Sequence, residues 1–139
     1  MIIQHIKSRI DGKDLHMIIR GSCELEELER VNVVPDNEFI QLSVLNLPEG
    51  RTFKPHKHVL KQHNLQAIAQ ESWVVLKGSV KVILYDIDDS ILCEEVLRQH
   101  DVSITLRGGH NYLILEEDTK VLEYKTGPYQ GQALDKVFI

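Results

Sequence analysis

The chain has 139 residues, room for one domain and hardly two, and its 42% apolar and 27% charged residues exclude disordered and collagen-like chains. Its 14 Ile and 13 Val against 3 Ala weigh against helical bundles, because branched side chains pack well on a pleated surface and Ala is the best helix former. A formal net charge of −5 lacks the basic footprint that general binding to nucleic acid or anionic membrane requires.

In chain order, Asp11-Gly12 separates two apolar runs, residues 2–10 and 15–20, and predicts an opening β-hairpin with a type I′ turn. The acidic residues 22–30, with Leu25 and Leu28 three apart, fit either a turn or two of helix or an edge strand. Residues 38–47 read as a strand that ends in a turn at Pro48-Glu49-Gly50. Residues 72–77 (SWVVLK) form a run of buried-strand type, Gly78 breaks it, and residues 79–85 (SVKVILY) resume it. A polar turn at 86–90 leads to further strands at 91–97, 102–106, 111–116 and 119–125, with turns at Gly108-Gly109 and Glu117-Asp118. Short strands at this regular spacing predict an all-β sandwich or barrel. The chain divides into an N-terminal arm (1–37), a barrel (38–125) and a C-terminal tail (126–139), all within one domain.

Cys23 and Cys93 form no CxxC pair, and a domain of this size builds its own core without a disulfide staple. The first fourteen residues have no long apolar segment with a small-residue cleavage site, and no apolar run approaches a transmembrane span. The expectation is a reduced, cytoplasmic protein with no membrane partner.

The chemistry centres on His56-Lys57-His58. On a strand, residues i and i+2 face one side, so both imidazoles converge as two neighbouring metal ligands must. Gly50 precedes His56 with five residues between them, Glu71 precedes Gly78 with six between them, and His110 follows a Gly-Gly turn. Together these resemble the two motifs of the cupin superfamily, the first of which runs Gly-x5-His-x-His-x3–4-Glu-x6-Gly. The resemblance covers about residues 38–125. It departs from the family pattern between His58 and Glu71, where twelve residues stand in place of three or four, and in the second motif, whose Gly and Pro are replaced by His100 and Leu106.

The resemblance implies a cupin-type double-stranded β-helix, or jelly-roll, with a divalent metal in its lumen held by His56, His58, Glu71 and His110. Three imidazoles and a carboxylate suit Fe, Mn, Ni, Zn or Cu. His63, in the inserted segment, is the alternative to Glu71. The family also implies a homodimer. Strand parity adds Lys54, Trp73 and Tyr112 to the lumen face. Lys54 reads as an anion-binding cation or a solvated strand-end lysine, and Trp73 as a stacking platform for a sugar ring or as core. Tyr112 reads as a general acid or a barrel plug, and His63 as a mobile base or a surface residue. The whole-chain pattern is similar to small cupins of surface-polysaccharide and sugar-nucleotide biosynthesis. It implies an isomerase or epimerase acting on a small sugar-derived substrate, with an Fe(II) dioxygenase and a non-enzymatic metal- or sugar-binding module as alternatives.

Overall fold

The computed structural model describes residues 1–22, 30–46, 49, 55, 68–127 and 137–139. Among them the regular structure is entirely strand: β1 (Ile2–Lys7), β2 (Asp14–Arg20), β3 (Arg30–Asn32), β4 (Ser43–Leu45), β5 (Glu71–Lys77), β6 (Ser79–Tyr85), β7 (Ile91–Arg98), β8 (Val102–Thr105), β9 (His110–Ile114) and β10 (Lys120–Lys125). No helix among the described residues is long and apolar enough to cross a membrane. The strands form a five-stranded sheet in the order β1-β2-β8-β5-β10, a three-stranded sheet β7-β6-β9 and a ribbon β3-β4. Every pairing is antiparallel.

Successive side chains of a strand point to opposite faces. On one face of the five-stranded sheet, Ile6, Ile18 and Val75 pack with Val80, Val82, Leu84 and Leu97 of the three-stranded sheet. On the other, Met17, Ile19, Val102 and Ile104 pack with Val33 and Val34, flanked by Val31 and Val44 of the ribbon. The central strands of the five-stranded sheet, β2 and β8, are therefore buried on both faces, while the edge strands β1 and β10 stay largely exposed. This is why β2 carries a continuous apolar run instead of an alternating one, and why Leu15, Met17, Ile18 and Ile19 are all 0% exposed. The opening hairpin is built into this sheet, since β2 pairs along β8.

Three local expectations change. The opening turn is not type I′, because of its two central residues only Gly12 has a positive φ, 72°. The loop is wider, closed by Ser8 N donating to Lys13 O at 2.9 Å and Gly12 N donating to Ser8 O at 3.1 Å. Asp86 holds it from across the molecule, accepting from Ser8 Oγ and from the Arg9 amide, both at 2.7 Å. Burial pushes the Asp86 carboxyl up, but hydrogen bonds from Ser8, Ile87 and Arg9 outweigh it and hold the group below its ordinary value. Second, among the described residues 38–46 only Ser43–Leu45 is strand. Preceding it, Ile40 N donates to the Gln70 side chain, and the Gln41 amide donates to the carbonyls of Pro35 and Glu38, so local bonds replace a ladder. Third, the undecided segment 22–30 leads into the short strand β3, and residues 23–29 lie outside the described residues.

Gly78 is the hinge between sheets, for β5 belongs to the five-stranded sheet and β6 to the three-stranded one. Its φ is +81°, and a Cβ there would lie 2.4 Å from Thr119 Oγ1. Only glycine fits both the backbone and the space.

Candidate functional site

The site is assembled by register. Across the five-stranded sheet, His16 of β2 stands opposite Thr105 of β8, and Thr105 stands opposite Glu71 of β5. Opposed residues share a face, so the three form one rung. The next rung of the same face holds Ile18, Ser103, Trp73 and Glu123. In the facing sheet, His110 and Tyr112 of β9 stand opposite Leu84 and Val82, whose side chains point into the core. His110 thus overhangs the first rung and Tyr112 the second, because both sheets repeat every two residues.

Contacts follow this layout. His110 Nε2 lies 3.2 Å from Glu71 Oε1, with the imidazole side chain 21% exposed and the carboxylate 13%. His110 Nδ1 lies 3.0 Å from Thr105 Oγ1. The same hydroxyl lies 3.1 Å from Nδ1 of His16, whose Nε2 reaches the carbonyl of Tyr85 at 3.0 Å. Trp73 and Tyr112 stack with ring centroids 4.0 Å apart and planes 6° from parallel, and Tyr112 meets His110 at 5.2 Å. The indole N–H of Trp73 donates to both Glu71 Oε1, at 3.1 Å, and Glu123 Oε2, at 3.2 Å.

Two groups are driven from their ordinary ionisation. Burial pushes the Tyr112 phenol well up, and the nearby carboxylates of Glu71 and Glu123 add to this against a hydrogen bond to Ser103. Tyr112 therefore stays protonated near neutrality and is a hydrogen-bond donor, not a base. Burial lowers His16 to about 4 despite its bond to the Tyr85 carbonyl, so its ring is neutral near pH 7.

Of the residues singled out from sequence, Glu71, His110, Trp73 and Tyr112 come together at this one place. His56, His58, His63 and Lys54 lie outside the described residues. Trp73 has one face covered by Tyr112, its N–H engaged, and its ring packed against the core cluster that contains Ile18 and Val75. Sequence reading passed over His16, Thr105, Ser103 and Glu123. A histidine inside an apolar run, His16 between Leu15 and Met17, was the one local signal.

The pair Glu71–His110 suits a metal. Two donors each about 2.1 Å from one ion stand about 3.0 Å apart at a right angle and about 3.4 Å apart at a tetrahedral angle. The observed 3.2 Å falls between these. A carboxylate with an imidazole is a fitting donor set for first-row divalent ions, and the second ring nitrogen of His110 is held by a hydroxyl as metal-binding histidines require. Among the described residues no cluster of three or more His, Cys, Asp or Glu has metal-holding geometry. Comparison of the chain with protein-family models, with curated proteins and with solved structures finds no match.

Proposed function

We propose that the chain is a metal-binding domain of the cupin jelly-roll type, acting on a small sugar-derived substrate as an isomerase or epimerase. One observation carries the reading: Glu71 and His110, 39 positions apart, meet across two sheets with donor atoms 3.2 Å apart. They are the two described members of the ligand set that the resemblance to the cupin superfamily implies.

In this reading His56 and His58 complete the set. A divalent ion, when bound, supplies Lewis acidity toward a substrate carbonyl. The remaining roles belong to side chains. Trp73 and Tyr112 form a stacked aromatic pair beside the ligands, the kind of surface against which a sugar ring packs. Tyr112, kept protonated by burial, donates a hydrogen bond to a developing oxyanion and takes no proton. The base of the proton transfer is then another group, for which the imidazole of His63 is the candidate from sequence.

Elemental analysis of the native protein tests the metal. A stoichiometric transition metal, lost in the His56→Ala, His58→Ala double variant, is expected; its absence from the native protein overturns the reading. Deuterium entering a sugar nucleotide from D₂O tests the reaction, and no exchange across a broad panel of sugar nucleotides refutes the isomerase.

A further inference from the structure

The hydrogen bonds around Thr105 have only one consistent direction. The carbonyl of Tyr85 only accepts, so His16 Nε2, 3.0 Å away, carries a proton and donates it. His16 is 0% exposed, and a neutral imidazole holds a single ring proton. Its Nδ1 is therefore bare and accepts from the Thr105 hydroxyl at 3.1 Å. That hydroxyl has one proton and has now used it. Toward His110 it only accepts, so His110 Nδ1, at 3.0 Å, must be the donor. As a metal ligand His110 would act as a neutral imidazole, and with Nδ1 protonated the nitrogen left to supply the lone pair is Nε2, the one turned to Glu71.

We propose that His16 and Thr105 are positioning residues: through the Tyr85 carbonyl they fix the ring proton of His110 on Nδ1 and present Nε2, beside Glu71, as the donor nitrogen of the site. The proposal rests on the metal reading only in what Nε2 is presented to. His16 reaches His110 by hydrogen bonds through the Thr105 hydroxyl, and so decides which nitrogen is available. The depressed proton affinity of His16 agrees with a single-proton ring near pH 7. Gly108 keeps the terminus of the relay in place: its φ is +80°, and a Cβ there would lie 2.5 Å from Tyr85 O and 3.2 Å from His16 Nε2.

Such outer partners of a metal-binding imidazole typically change metal affinity about 10–100-fold when removed. Two-bond ¹H–¹⁵N spectra of the histidine rings in the metal-free protein at pH 7.5 read the protons directly. His16 is expected to be protonated at Nε2 and bare at Nδ1, with His110 protonated at Nδ1. Thr105→Ser should keep this pattern. In Thr105→Val the accepting hydroxyl is gone, and the His110 proton should leave Nδ1 for Nε2. In His16→Leu the Thr105 hydroxyl is released to donate, with the same result. Zinc competition against a chelator should show both of these variants weakened about tenfold or more and Thr105→Ser close to wild type. A wild-type His16 protonated at Nδ1 overturns the relay, as does a Thr105→Val protein whose His110 keeps its Nδ1 proton. If the wild-type protein takes up no zinc, the metal reading falls, while the proton positions still decide the relay.

Discussion

Acid should weaken this protein well before its carboxylates protonate, and His16 sets the size of the effect. In the folded protein its pKa is lowered from 6.5 to about 4, chiefly by burial. Between these values the unfolded chain binds a proton that the folded one refuses, so stability falls as pH falls. The contribution is whole above about pH 6.5 and fully lost below about pH 4. A shift of about 2.5 units at about 1.4 kcal/mol each gives a total on the order of 3 kcal/mol, of which roughly 2 kcal/mol is lost by pH 5. Against a typical domain stability of about 5–15 kcal/mol this is a large fraction. Urea melts at pH 7.5 and pH 5.0, on wild type and on His16→Gln, isolate it, because the glutamine does not titrate and the other histidines contribute equally to both proteins. The wild type should lose roughly 2 kcal/mol more than the variant over this interval. Equal losses in the two proteins would refute the assignment of a buried, neutral His16.

Other changes have definite expected outcomes. Gly78→Ala puts a Cβ 2.4 Å from Thr119 Oγ1 at a φ of +81°, and should cost about 2 kcal/mol or more in chemical denaturation. Tyr112→Phe keeps the stack on Trp73 and gives up only a 3.4 Å contact to Ser103, so it should cost under about 1 kcal/mol. Tyr112→Ala empties the same space and should cost about 3 kcal/mol, with a red shift in the emission of Trp73, the single tryptophan of the chain. Burial, with the charge of Glu95 adding, raises the Cys93 thiol, so in a Cys23→Ser background it should react with a thiol reagent at pH 8 more slowly than free cysteine does.

How much of this was legible in the sequence follows from the range of each cause. Strands whose limits are set by local turns were readable: residues 79–85 coincide with β6, bounded by Gly78 and Asp86. Glu71 and Trp73, and likewise His110 and Tyr112, could be paired on a face because a two-residue period needs nothing beyond the strand itself. The rung could not be read, since its partners come from the register of strands distant in the chain; His16 and Thr105 are 89 residues apart. Val102-Ser103-Ile104-Thr105 misleads in a particular way. Its alternation has the form of a strand with one wet face, yet both faces are buried and the polar one is the floor of the site. The opening turn went wrong for a similar reason, because Asp86, far along the chain, satisfies the loop that Asp11-Gly12 alone would have closed more tightly.

The rung across β2, β8 and β5 also bears on how the chain folds. Glu71, Thr105 and His110 lie within one stretch of sequence, so their strands can meet after closing comparatively short loops, whereas β2 must find β8 over most of the chain length. The ring of His110 is therefore oriented only when the N-terminal hairpin docks. Competence of the site therefore reports that docking, and a chain arrested before it would carry every residue of the pair and still hold His110 in no single state.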